Sequence, residues 1–384
     1  PASDFFALGG DSLLMAQAIG RIRREIDEAA GLTWDDLLRA MVSNPTLAAA
    51  AEAVQGSASQ SGPSPSGRDN GAVSSPLVYL GTGQGFTPAT EIVVCVHDGS
   101  GGLAPYDQLV PHLRAAGDRA PDLYGLRRIP GDGYSQIAPA ELFTTLATRY
   151  TAPIVALAPR KVHLLGYCMG GLLSAEIAKC LEESGITVGT VTVVSSYRVP
   201  MDVEDDDVLD YCFAQILSVA PSALGMQVDE EAVRGAFTRA RARYVDVIPA
   251  GALRSAAEPV LAASLERSAA PGEPRLKLLA ESGVLGEAWD VESLRELRSI
   301  FVHSLRAVVH GAAEPFLGDI HFLRQRGDIH FLPTLAEDMT AFWADYCLGK
   351  LTVSNIDGNH FDCLTGENAQ SVAKLLVDSW TVDT

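Results

Sequence analysis

The spacing of hydrophobic positions changes twice along the chain. Over the first 55 residues Leu14, Met15, Ala18, Ile19, Ile22 and Ile26 recur at three- and four-residue steps, which predicts amphipathic helix. Thr46 stands where it would cap a short Ala-rich helix to Val54. From Gly56 to Ser75 Gly, Ser and Pro dominate, the composition of a flexible linker. Beyond Leu77, short β-branched runs alternate with helical stretches. Strands are predicted from Ile92 to Val96, Leu123 to Leu126, Val162 to Leu165, Val191 to Val194, Ile320 to Leu323 and Leu351 to Ile356. Helices are predicted from about Tyr106, Pro139, Met169 and Ala369. Such alternation makes a mainly parallel sheet covered on both faces, an α/β architecture. The interval from Pro200 to Gly318 is helical and charged, with an acidic start at Asp202 to Asp207. A helical insertion late in a parallel sheet reads as a lid over the strand ends where ligands bind. The pattern therefore divides the chain into a small helical segment (1–55), a linker (56–75) and a large α/β domain (76–384) with a lid at about 200–317.

Composition narrows the classes of function. Of 384 residues 47% are hydrophobic and 20% charged, enough apolar surface to offset the entropy of ordering. The balance of 29 Lys and Arg against 48 Asp and Glu gives a net charge of −19, which argues against a nucleic-acid or anionic-membrane binder. No apolar run is long enough to span a bilayer and the first residues carry no basic-then-apolar export signal, so a cytoplasmic protein is expected. The six cysteines form no CxxC pair and no dense framework; neither a metal site nor a disulfide scaffold is expected.

The segment from Asp4 to Ile19 reads DFFALGGDSLLMAQAI. Gly9 and Gly10 make an uncluttered turn, and Ser12 opens a helix whose free N–H groups favour an attached phosphodiester. This motif, with NPTLAA at Asn44 to Ala49, resembles the peptidyl carrier domains of nonribosomal peptide synthetases. The resemblance implies a small all-α bundle with 4′-phosphopantetheine covalently attached to Ser12 by a phosphopantetheinyl transferase. Such carriers start with a helix well before the serine, so a carrier without its first helix is expected.

Val162 to Leu165 run into Gly166, Tyr167, Cys168, Met169, Gly170 and Gly171, then into the helical LLSAEIAKCLEE. Strand, G-x-nucleophile-x-G, helix is the elbow of α/β-hydrolases, and here the presented side chain is a thiol. The amino end of a helix lowers a thiol pKa and favours the thiolate. The strand IVVCV leads into HDGSGG at His97 to Gly102, where hydrolases place one oxyanion donor; Gly99 N–H and Met169 N–H are the expected pair. Near the end, LTVSNI runs into Asp357, Gly358, Asn359 and His360, which makes His360 the base candidate. HDGSGG, GYCMGG and GNHF in this order resemble the terminal thioesterase domains of nonribosomal peptide synthetases. That family implies an α/β-hydrolase fold with a helical lid, a carrier-bound peptidyl substrate and upstream synthetase modules as partners.

Two departures bear on the chemistry. The family usually has serine where Cys168 stands, and usually places the triad acid after the strand equivalent to VTVV; this chain reads Ser195, Ser196, Tyr197 and Arg198 there. Either the acid has moved, with Asp328 after strand IHFLRQ as the candidate, or the site works as a Cys–His dyad. Arg198 is a candidate partner for an anionic substrate group. Arg234, Arg239, Arg241 and Arg243 form either a solvated face or a docking surface for the acidic carrier. An acyl group on cysteine keeps its thioester energy, which favours release by closure of a strained ring, and cysteine-elbow thioesterases resembling this one include those that form β-lactams and β-lactones. Hydrolysis, macrocyclisation or transesterification by the same residues, and a catalytically silent docking or gatekeeping domain, remain the alternatives.

Overall fold

The computed structural model describes residues 75–81, 91–117, 120–129, 131, 133–286, 289–311, 314–327 and 335–381, together with Ile22, Ile26, Thr46 and Ala51. Ser12, nearly all of the expected carrier segment and linker, and Asp328 lie outside the described residues. The chain divides into two compact units, Ser74–Arg275 with Arg295–Thr384, and Pro1–Val73 with Leu276–Leu294. Within the smaller unit, the Asp290 carboxylate accepts from Ser293 N–H at 2.8 Å and so caps the start of a helix.

The larger unit is built on a seven-stranded sheet. Its strands are β1 (Leu77–Gly81), β2 (Glu91–Val96), β3 (Asp122–Leu126), β4 (Lys161–Tyr167), β5 (Thr187–Val194), β8 (Ile320–Gln325) and β9 (Leu351–Ile356); a separate pair is formed by β6 (Asp202–Val203) and β7 (Val247–Ile248). The order is β1-β3-β2-β4-β5-β8-β9, with β1 antiparallel to β3 and the other pairs parallel. All six predicted strands are present. β2 and β4 are buried along nearly their whole length, as expected of strands covered on both faces. The antiparallel edge strand β1 has no counterpart in the sequence reading, because LVYLG is only partly buried and lacks a clean alternation.

Helices α1 (Leu109–Ala115), α2 (Leu142–Val155), α3 (Met169–Glu183), α10 (Leu335–Tyr346) and α11 (Gly366–Thr381) alternate with the strands. Between β5 and β8 the chain adds α4 (Asp206–Ile216), α5 (Glu230–Arg243), α6 (Ala252–Ala256), α7 (Pro259–Arg267), α8 (Glu273–Ser282) and α9 (Val291–His310). No helix among the described residues is long and apolar enough to cross a membrane.

The acidic run that opens this insertion is largely consumed by structure. Asp205 caps α4, accepting from Asp207 N–H at 2.9 Å and Val208 N–H at 3.2 Å, and its other oxygen accepts from Leu253 N–H at 2.9 Å. Fully buried Arg275 reaches both Asp207 and Asp210; Arg254 adds a second cation to Asp207 at 2.6 Å and Arg298 a second to Asp210 at 2.6 Å. Alternating signs in a closed network offset the cost of removing these charges from water.

The strand order positions the site. After the edge strand β1, the parallel part of the sheet starts at β2, goes outward to β3, then returns to the other side of β2 as β4, so the carboxyl ends of β2 and β4 adjoin at the point where the order reverses. Val96 pairs with Gly166 across that point. In parallel sheets this crevice is where ligands bind.

Candidate active site

Cys168 follows β4 directly and has φ 55° and ψ −128°, a conformation that side-chain-bearing residues rarely adopt. The turn is held by Cys168 N–H donating to Val194 O at 3.1 Å and Gly171 N–H donating to Cys168 O at 3.1 Å. The flanking glycines are required by space. A Cβ on Gly166 would lie 2.1 Å from Gly170 O, and one on Gly170 would lie 2.6 Å from Val96 O and 2.7 Å from His97 O. The backbone of α3 is thereby drawn against β2, and the loops after β2 and β4 converge. Both Met169 N–H and Gly99 N–H act on the Cys168 sulfur. Gly99 stands in the loop after β2 and Met169 opens α3, so the two predicted donors come from the two segments that meet at this crevice.

The Gly99 loop is fixed on both sides. His97 is fully buried and its ring nitrogens engage Asp98 O at 2.7 Å and Tyr150 hydroxyl at 2.9 Å. Asp98 Oδ1 accepts from Ser100 N–H at 2.9 Å and Ser100 hydroxyl at 2.6 Å. Below the loop, Tyr134 hydroxyl and Ser304 Oγ are 2.7 Å apart. A Cβ on Gly99 would stand 3.5 Å from Ser304 Cβ, which places α9 in contact with this turn.

His360 is buried beside the elbow. The ring of Tyr167, the residue before Cys168, stacks on the His360 ring with centroids 5.1 Å apart, and Tyr167 hydroxyl donates to His360 O. His360 Nδ1 lies 2.7 Å from Ser195 Oγ. Ser195 stands where the family resemblance calls for an acid, and no sequence signal assigned it a contact. Asp328 follows Gly327, whose N–H donates to Gly358 O at 2.8 Å, two residues before His360.

Arg198 has a structural contact besides its expected role toward an anionic substrate group. Its guanidinium donates twice to Val309 O, at 3.1 and 2.9 Å, and so caps the last turn of α9. In the α5 arginine cluster, Arg239 donates to Ala256 O at 2.9 Å and pairs with Glu258 at 3.5 Å, while Arg243 lies over the Tyr244 ring.

One electrostatic expectation is overturned. The thiol of Cys168 is pushed up to about 12 rather than down: burial is the largest cause, Asp98 acts in the same direction, and the Met169 and Gly99 N–H groups only partly offset them. The start of α3 supplies donors, but loss of water outweighs them. The resting group near neutral pH is therefore the thiol, and alkylation of Cys168 by iodoacetamide, followed by peptide mapping, should accelerate about tenfold per pH unit from 7 to 10. A plateau below pH 8 would show instead a preformed thiolate–imidazolium pair.

A model of the thioesterase domain matches residues 91–379. The chain belongs to the thioesterase domain family. Pyochelin synthetase PchF of Pseudomonas aeruginosa is 35% identical to this thioesterase over 392 residues, 97% of this chain and 20% of that protein. Malpibaldin synthetase of Mortierella alpina is 29% identical over 210 residues, 53% of this chain and 3% of that protein. The chain thus spans a fifth or less of these curated relatives. A four-domain nonribosomal peptide synthetase in its holo form, bound to AMP and glycine, superposes with a TM-score of 0.54 at 19% identity, covering 98% of this chain and 24% of that one. The shared fold is the α/β-hydrolase-like one, and the family's chemistry is acyl transfer and hydrolysis.

Proposed function

We propose that this thioesterase domain terminates a nonribosomal peptide assembly line, taking the peptidyl chain from its carrier onto Cys168 and releasing it by closure of a strained ring, a β-lactam or β-lactone. The observation that carries this reading is a thiol presented by a strained turn between β4 and α3, with the buried His360 ring stacked on the preceding Tyr167. Upstream synthetase modules would supply the substrate. Ser12, outside the described residues, would hold the 4′-phosphopantetheine installed by a phosphopantetheinyl transferase, which supplies the thioester sulfur.

The chemistry runs in two balanced steps. His360, through the ring nitrogen that Ser195 does not engage, takes the proton of Cys168 as the Cys168 S–C bond forms. The carrier S–C bond then breaks, and the proton passes to the departing thiol. In the second step an amine or hydroxyl of the substrate attacks the same carbon, His360 receives its proton, the Cys168 S–C bond breaks and the proton returns to the sulfur. Gly99 and Met169 N–H groups hold the oxyanion each time. Thioester-to-thioester transfer keeps the acyl group activated, and an ester on serine would not. The crowded surroundings that raise the thiol also limit water, the competing acceptor. Asp328, outside the described residues, is the candidate acid if the site uses one; otherwise Cys168 and His360 act as a dyad.

Mass spectrometry of the product from carrier-loaded peptide tests the reading. A ring-closed product, 18 Da lighter than the linear acid by loss of one water, is expected. The linear acid as sole product would sink the strained-ring reading and leave hydrolysis. In the same assay Asp328→Asn should lower release; unchanged release would leave Cys168 and His360 to act without that carboxylate.

A further inference from the structure

β5 ends at Val194, and the next residue turns into the left-handed region, with Ser195 at φ 46°. This conformation is strained for a residue with a side chain and is kept only where the surroundings enforce it. Here they do. Ser195 N–H donates to Leu323 O of β8 at 3.0 Å, Val194 O is taken by Cys168 N–H at 3.1 Å, and the side chain is fully buried. The turn aims Oγ out of the sheet and into the His360 loop, 2.7 Å from Nδ1.

We propose that Ser195 is the positioning residue of this site, a neutral group that orients His360 from the place where a carboxylate would be expected. The inference rests on the Cys168–His360 reading above. For the far ring nitrogen to take the thiol proton, Nδ1 must carry the other hydrogen, and Ser195 Oγ accepts it. Tyr167 holds the same residue by its carbonyl and by stacking, so the ring is fixed on a face, at the backbone and at Nδ1.

A neutral acceptor differs from a carboxylate in what it does to the protonated ring. Charge-assisted hydrogen bonds are roughly twice as strong as neutral ones, so Ser195 stabilises imidazolium less than an acid would. A cysteine site tolerates this. A thiol gives up its proton more readily than a serine hydroxyl, and a thiolate leaves without full protonation. The weaker partner also lets His360 return its proton sooner, which each half-reaction needs. Other ionisable groups at or beside His360 are Tyr167 at the end of β4 with Cys168 next to it, and Cys363, whose thiol donates to His360 O at 3.7 Å, with Asp357 and Asp362 in the same loop; none changes when Ser195 is replaced.

The test uses the full chain with histidine labelled at Cε1, the His360 resonance being assigned by its loss in His360→Gln. Ser195→Asp should raise the His360 pKa by about one unit or more, the effect of an adjacent carboxylate. Ser195→Ala should lower kcat about tenfold with KM little changed, on an N-acetylcysteamine thioester of an N-acyl amino acid. Ser195→Asp should recover part of the loss while moving the acid limb of the pH profile upward. If Ser195→Ala does not fold, Ser195→Cys, which keeps the size and weakens the acceptor, serves for the same two readouts. An unchanged His360 titration in Ser195→Asp would overturn the proposal, as would a shift produced by Asp328→Asn and by no Ser195 variant. The titration is read without turnover, so failure of Cys168 to form an adduct would sink the function and leave this result standing.

Discussion

Cys168→Ala is expected to lower release of a carrier-bound acyl chain by at least about a thousandfold and to abolish the covalent adduct seen by intact-protein mass spectrometry. On the proposed reading the loss is this large because Cys168 is the group that attacks the thioester. Cys168 has a φ of 55°, a strained conformation of the kind that clusters at active sites. Alanine leaves the donors and His360 in place, so what remains is attack by water on an oriented thioester. Cys168→Ser separates the two roles of the sulfur. The geometry survives, but the intermediate becomes an ester, and acyl-enzyme should accumulate while ring closure slows. Wild-type release by Cys168→Ala would show that another group attacks, or that the domain serves as a docking module.

Arg275→Met should destabilise the larger unit by about 3 kcal/mol, the lower end of the 3–5 kcal/mol range for breaking a buried ion pair. Arg275 has no exposed surface, and its removal strips one cation from both Asp207 and Asp210. The loss stays at the lower end because Arg254 and Arg298 remain on those carboxylates. The comparison is Arg295, whose ion pair with Glu273 at 3.0 Å is about half exposed on both sides; breaking it should cost at most about 1 kcal/mol. A lower urea midpoint for Arg275→Met and little change for Arg295→Ala are the expected readings. Equal midpoints for Arg275→Met and wild type would mean that the acidic run of α4 tolerates burial without this cation.

What could be read from sequence follows the physics of each element. The interior strands announce themselves because a parallel strand covered on both faces must be apolar along its length, as EIVVCV and KVHLLGY are. The elbow is legible because each glycine answers a backbone contact too close for any side chain. Strand β1 is silent because an edge strand needs no such run. Ser195 was visible only as a missing acid: a serine after a strand carries no mark of what it touches until the loop after β9 is folded back onto it. The contact of Arg198 with Val309 O was silent for a related reason, since a guanidinium satisfies a helix carbonyl as readily as a ligand and its sequence position marks neither. The thiol was misjudged because helix position can be read locally, whereas desolvation depends on what the rest of the chain packs around the sulfur.

Helix α9 runs from the insertion down to the turn that carries Gly99. Ser304 meets Tyr134 below that turn, Glu296 pairs with Arg128 at 3.0 Å, and Arg128 N–H donates to Gly101 O at 2.9 Å. Through Ser304 and Glu296, α9 is thus tied to both sides of the turn that carries Gly99. A substitution that shifts α9, such as Ser304→Leu, would therefore be felt first in the loop after β2, from His97 to Gly102, even though it lies far away in sequence.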